Sequence, residues 1–180
     1  MAKKNPIFTV DWESWWDAIP QYVYDKKDDR IYEPTIFLLK VLDIFSVKAI
    51  FYILGSTMIR NLRVYDTIIK AGHIIGTHGH FHRHNLYIDH PLFRSPYWDT
   101  TPMPYPPSGG FFFRLLPFNY IKWAIEKSGV FWIHPHDLDT KHPYVDNKWI
   151  NLKRHIGLKK SRSKLFRLLS EVEFGEPSKN

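Results

Sequence analysis

The chain has no cysteine among its 180 residues, which excludes disulfide bonds and zinc fingers built on cysteine. It also has no apolar run that approaches the roughly 20 residues needed to span a bilayer. Lys3 and Lys4 near the N-terminus are not followed by an apolar segment, so we expect no signal peptide. These absences predict a soluble, cytoplasmic protein. Any transition-metal site in it must use nitrogen and oxygen ligands.

The composition predicts one folded domain over residues 1–180, because a chain of this length can bury a hydrophobic core. Hydrophobic residues make up 44% of the chain and aromatic residues 17%, which argues against disorder. The formal net charge is +7, and many of the basic residues lie after residue 152. Such an end can attract acidic glycans, lipid head groups or nucleic acid, but a solvated helix face is the simpler interpretation. We expect no nucleic-acid partner.

The order of apolar segments predicts an α/β fold with a parallel sheet. Strands are expected at 6–10, 48–54, 73–77 and 130–133, and helices at 33–45, 56–70, 117–127 and 161–171. The last helix is basic and amphipathic. Residues 91–110 are rich in proline and aromatic residues and predict a loop-rich insert.

Polar clusters follow three of these predicted strands. Asp11 and Glu13 follow the first, His78 and His82 follow the third, and His134 follows the last. In parallel α/β folds the active site lies at the carboxyl ends of the strands. Three carboxylate or imidazole ligands would leave a position open for water, as in a catalytic metal site. The simpler alternatives are that the two carboxylates cap a following helix and that His134 is structural.

These clusters resemble the motifs of the polysaccharide deacetylases of carbohydrate esterase family 4, the NodB-homology group. The similarity is greatest to a branch with Asp-x-Glu or Asp-x-Asp in its first motif. The matching segments, in chain order, are Thr9 to Glu13, Gly72 to His82, Ser108 to Pro117, and Phe131 to Asp137. The resemblance implies a shortened member with a distorted (β/α) barrel, whose closure the short chain puts in question. It also implies a hydrolase that removes N-acetyl groups from a polysaccharide or glycan precursor.

The resemblance further implies one divalent metal, with zinc as the first candidate. By analogy, Asp11 is the base that activates the metal-bound water, and His134 protonates the departing amine. The implied metal ligands are Glu13, His78 and His82. The implied substrate contacts are Trp12, Tyr97, Trp98 and Arg114.

The third motif of the family carries an arginine that braces the base, and Arg94 resembles it. Arg94 follows His82 by only twelve residues, where the family usually has a strand and a helix. Either that unit is missing and Arg94 is re-used, or the motif is deleted and Arg114 is the brace. A missing unit would leave a sheet edge that needs cover, which a homodimer could supply.

Two other functions remain open. One is a carbohydrate-binding relative with weak or no activity. The other is a hydrolase of small non-peptide C–N bonds.

Overall fold

The computed structural model describes residues 5–17, 29–80 and 105–177. Within them, four parallel strands form one sheet in the order β3-β2-β1-β4. The strands are β1 (Ile7–Trp12), β2 (Ala49–Ile53), β3 (Ile74–Thr77) and β4 (Val130–Ile133). The predicted α/β class with a parallel sheet is confirmed. In this part of the chain β3 and β4 are the two edges, so these strands do not close into a full barrel.

Seven helices accompany the sheet in the described residues, together with a 3-10 turn at Pro135–Leu138. None of these helices combines the length and apolar composition needed to cross a bilayer. The helices are α1 (Tyr32–Ile44), α2 (Gly55–Arg60), α3 (Leu62–Lys70), α4 (Gly110–Leu115), α5 (Phe118–Ser128), α6 (Lys148–His155) and α7 (Leu158–Glu171).

The helix predicted at 56–70 is two helices, because the chain breaks at Asn61 (φ −133°, ψ 40°). The Asn61 side chain donates to the Thr57 carbonyl at 3.0 Å, which ends α2. Helices α4 and α6 were not predicted, since six and eight residues are too few to show a helical period. Of the predicted insert, residues 91–104 lie outside the described part of the chain.

A single main core joins the N-terminal and C-terminal parts of the chain. Phe8 and Val10 of β1 and Phe131 of β4 are fully buried within it. The predicted apolar face of α7 lies in the same cluster through Leu165, Leu168 and Leu169. The prediction of one domain and the prediction of a homodimer both remain predictions.

The Gly109–Gly110 pair allows α4 to approach β4 closely. A Cβ at Gly109 would lie 1.9 Å from the carbonyl oxygen of Trp132. Gly129 offers a matched control, because its φ is +73° and a Cβ there would meet nothing within 4 Å. We expect Gly109→Ala to lower the free energy of unfolding by about 3 kcal/mol. Gly129→Ala should cost only about 1 kcal/mol, the price of the left-handed backbone. Urea denaturation tests both, and equal losses would contradict the close-approach argument.

Candidate active site

The carboxyl ends of β1, β3 and β4 bring three of the predicted clusters together. One carboxylate oxygen of Glu13 lies 3.7 Å from Nε2 of His78, and the other lies 3.6 Å from Nε2 of His134. Asp11 Oδ2 is 3.9 Å from the same His134 nitrogen. The Glu13 side chain is 1% exposed. The parallel sheet therefore places one buried carboxylate between two imidazoles, with a second carboxylate beside it.

Backbone hydrogen bonds to the end of β2 and the start of α2 hold the loop that carries His78. The His78 N–H donates to the Ile53 carbonyl at 2.9 Å, and the Gly55 N–H donates to the Gly79 carbonyl at 2.9 Å. A Cβ on Gly55 would lie 2.6 Å from Nδ1 of His80, so the loop can approach this closely only because residue 55 is glycine. His78 is thus positioned by main-chain contacts with the neighbouring strand.

The 3-10 turn after β4 orients His134. Asp137 Oδ2 accepts the His134 backbone N–H at 3.0 Å and lies 2.9 Å from its Nδ1. Nε2, the other ring nitrogen, faces Glu13 and Asp11. His136 stacks on the His134 ring with centroids 4.4 Å apart, and the Trp132 indole meets it edge-on at 5.1 Å. The imidazole is held by contacts on several sides.

The electrostatic environment favours the charged form of His134. Burial alone would lower its pKa, but the hydrogen bond to Asp137 and the charges of Asp137, Glu13 and Asp11 raise that pKa to about 9. Burial would raise the pKa of Asp137, yet its bond to His134 and the nearby cations hold it well below its usual range. Burial and the neighbouring His134 lower the pKa of His136. These shifts favour the protonated form of His134 and the neutral form of His136 at neutral pH.

Arg114 connects this turn to the end of α6. Its Nε donates to Asp137 Oδ1 at 2.8 Å, and both partners are buried. Its other nitrogens donate to the carbonyls of Arg154, Ile156 and Lys153 at 2.7, 2.8 and 3.0 Å. The prediction that Arg114 contacts substrate does not agree with this placement, because its guanidinium already donates hydrogen bonds to these partners. It also braces Asp137 rather than Asp11.

The described tryptophans near the first motif are core residues. Trp12 is fully buried and donates from Nε1 to Thr35 Oγ1 at 3.0 Å, so its placement does not offer a ring to a sugar. Trp15 and Trp16 pack with Val145 and Ile150 in a second, smaller cluster. The predicted site residues that lie outside the described part of the chain are His82, Arg94, Tyr97 and Trp98.

The Glu13–His78 pair fits a divalent metal. Its 3.7 Å separation is too long for a hydrogen bond. It is close to the distance of about 3.4 Å between two ligands of a tetrahedral ion with bonds of about 2.1 Å. A second group of possible ligands consists of His134, His136 and Asp137, whose ligand atoms lie within 4.8 Å of one another. In that group His134 and Asp137 already bond to each other, so Glu13 and His78 are the better candidates.

Two family models match the chain. The model described as domain of unknown function DUF3473 covers residues 82–179, just over half of the chain. The chain belongs to the DUF3473 family. The polysaccharide deacetylase model covers residues 23–99, which confirms the resemblance to the polysaccharide deacetylases. The branch with Asp-x-Glu in its first motif stays a prediction. No curated protein matches the chain.

Three solved structures are similar to this chain but share little sequence with it. BA3943 from Bacillus anthracis, described as a CE4 family pseudoenzyme, is 10% identical with a TM-score of 0.49 over 98% of this chain and 65% of its own. A BA3943 mutant described as having restored enzymatic activity is 12% identical, with a TM-score of 0.47 over 92% and 65%. The Bc1960 peptidoglycan N-acetylglucosamine deacetylase is 16% identical, with a TM-score of 0.43 over 98% and 87%. The chain thus spans about two thirds of the length of BA3943.

Sequence reasoning did not assign the residues that support the site, although Asp137 lies in the last matching segment. Asp137 follows His134 by three residues after a proline, a spacing that could have indicated a capped turn. Trp132 of β4 and His134, the extended residue directly after β4, are two residues apart and therefore share a face. Asp17 holds the turn after Glu13, because it accepts hydrogen bonds from the Ser14 N–H at 3.1 Å and from Thr57 Oγ1 at 2.8 Å. No pattern in the sequence indicated this role.

Replacing Arg114 tests whether its buried hydrogen bonds hold the site together. Arg114→Lys keeps the charge but cannot make the four contacts, so it leaves buried carbonyls without donors. We expect it to lower the free energy of unfolding by about 3 kcal/mol. Arg167→Lys, which alters an exposed ion pair with Glu171, should change it by less than about 1 kcal/mol. Chemical denaturation of both variants measures the difference, and similar small losses would argue against the network.

Proposed function

We propose that this DUF3473 protein is a metal-dependent hydrolase that removes N-acetyl groups from a polysaccharide or glycan precursor. The observation that carries the proposal is the Glu13 carboxylate, which lies 3.7 Å from His78 on one side and 3.6 Å from His134 on the other. The match of residues 23–99 to the polysaccharide deacetylases supports the class of reaction.

In this proposal Glu13, His78 and His82 hold the metal. Zinc is the first candidate because two imidazoles and one carboxylate, with a position left open, form a common catalytic zinc site. When bound, the ion would supply a Lewis acid that polarises the acetamide carbonyl and makes water more acidic.

The residues of the chain supply the proton transfers. Asp11 accepts a proton from the attacking water, since its carboxylate lies at the same strand end as Glu13. His134 is charged at neutral pH and donates its Nε2 proton to the amine nitrogen as the C–N bond breaks. Asp137 bonds to Nδ1, so Nε2 is the nitrogen left to donate. Arg94 is proposed to brace Asp11, and Tyr97 and Trp98 to contact the sugar.

The Asp11→Asn variant distinguishes the role of the base from the role of the metal ligands. We expect the variant to keep about one metal ion per chain and to lose turnover by about 10²- to 10⁴-fold, because general base catalysis contributes that much. His78→Ala combined with His82→Ala should lose the metal itself. Metal analysis and acetate release from N-acetylated oligosaccharides measure the two properties, and Glu33→Gln serves as an exposed control.

Other outcomes would point to another function. Normal metal content and turnover in the double histidine variant would refute the proposed ligands. A metal-loaded wild-type protein that binds N-acetylated glycans without releasing acetate would be a carbohydrate-binding relative. Turnover of small cyclic amides in place of glycans would identify a hydrolase of other C–N bonds.

The raised pKa of His134 can be measured directly in metal-free protein. In an NMR titration the ring should stay protonated through neutral pH and lose its proton as the pH rises through about 9. Asp137→Asn removes the bonded negative charge, so we expect it to lower the pKa of His134 by at least about one unit. Asp146→Asn, at an exposed carboxylate, should leave that pKa unchanged. A His134 that titrates near 6.5 in the wild type would contradict its role as the acid.

A further inference from the structure

The end of the chain carries a dense basic segment. Residues 147–170, which include α6 and α7, contain eight lysines and arginines and no aspartate or glutamate. Some of these cations have internal partners: Arg154 donates to the Trp15 carbonyl, and Arg162 and Arg167 pair with Glu33 and Glu171. Four lysines are exposed and form no ion pair with any described residue, namely Lys148, Lys153, Lys159 and Lys160.

The outer face of α6 adds large apolar side chains to this charge. Trp149 is 73% exposed and Leu152 is 54% exposed. They lie three residues apart and so share a face of the helix, between Lys148 and Lys153. The opposite side of α6 faces the protein through Ile150, which packs against the Trp15 cluster. The Trp149–Leu152 face is therefore not needed to attach the helix.

The start of α7 has a charge pattern that does not serve helix stability. Lys159 and Lys160 lie in its first turn, which contains no acidic residue. The helix dipole disfavours cations at this end. Residues that lower the stability of a local element are expected where the sequence serves a function other than folding. A solvated helix face would explain the lysines but not their position or the exposed tryptophan and leucine.

We propose that this surface docks on a bilayer that contains anionic lipids. In this proposal the docking face takes Lys148, Trp149, Leu152 and Lys153 from α6 and Lys159 and Lys160 from the first turn of α7. Tryptophan and leucine at the head-group boundary, flanked by lysines that meet lipid phosphates, form a combination that binds membrane surfaces. A nucleic acid or an acidic glycan would match the charge, but it offers no apolar region for Leu152. The anionic bilayer complements both parts of the face.

Docking would place at the membrane a helix that contacts the segments around the candidate active site. Arg154 of α6 donates to the Trp15 carbonyl at 2.8 Å, and Trp15 follows Glu13 by two residues. The α6 carbonyls that accept from Arg114 connect the same helix to Asp137. The inference does not depend on the proposed hydrolase, because binding to lipid requires no turnover.

Sedimentation with liposomes tests the proposal on the full chain. We expect the protein to bind vesicles of phosphatidylcholine with phosphatidylglycerol, to bind pure phosphatidylcholine far more weakly, and to be released by salt. Lys153→Gln, Lys159→Gln and Lys160→Gln combined should weaken binding by about 100-fold, since each lysine near the surface contributes about fivefold. The matched control combines Lys40→Gln, Lys70→Gln and Lys127→Gln, which are exposed on other helices and should leave binding nearly unchanged.

A second experiment tests the apolar side chains of the docking face. Trp149→Ser with Leu152→Ser should weaken binding to anionic vesicles by about tenfold or more. Trp123→Ser, 46% exposed on α5, is the control. In the wild type, lipids with brominated acyl chains should quench tryptophan fluorescence, and Trp149→Phe should remove most of that quenching. Absence of vesicle binding would overturn the proposal. The proposal would also be overturned if the protein bound dextran sulfate as tightly as anionic vesicles and if the Trp149 and Leu152 changes weakened neither interaction. That result would indicate a surface that binds any polyanion.

Discussion

The buried ion pair between Arg114 and Asp137 is the interaction on which the candidate site depends. Taking two such charges out of water costs several kcal/mol each, so the pair is stable only with good geometry and further hydrogen bonds. The structure provides both: a 2.8 Å contact, three carbonyls for the remaining guanidinium nitrogens, and His134 for the other carboxylate oxygen. As a result α4, the turn after β4 and the end of α6 are coupled to the orientation of one imidazole.

The position of Glu13 between two imidazoles has a consequence for metal binding. One side of the carboxylate faces His78 and the other faces His134, whose pKa it helps to raise. A divalent ion beside Glu13 would add positive charge near His134 and lower that pKa, since like charges disfavour one another. In the proposed site, metal binding and protonation of His134 would therefore be linked through Glu13. The hydrogen bond that Asp137 accepts from Nδ1 favours the charged form of the imidazole and would oppose that lowering.

The sequence was informative where the chemistry follows directly from a strand. Asp11, Glu13, His78 and His134 were each predicted at a carboxyl end, and parallel pairing brings those ends together without further information. Prediction from the sequence failed where the position of a side chain depends on tertiary contacts. Arg114 was predicted to face substrate or to brace Asp11, but its partners are Asp137 and carbonyls 40 residues further along the chain. Trp12 was predicted to contact sugar, yet alternation along β1 places it in the core with Phe8 and Val10.

The two family segments contribute different halves of the candidate site. Residues 23–99 carry β2, β3 and His78, whereas residues 82–179 carry β4, His134 and the Arg114 network. Strand β1 lies between them in the sheet, and Glu13, which directly follows β1, contacts both halves. Helix α6 belongs to the second half. Its final carbonyls accept hydrogen bonds from Arg114, which in turn contacts Asp137. Trp149 and Leu152 of the same helix face outward. A change on the outer face can therefore alter surface binding and leave the His134 geometry intact.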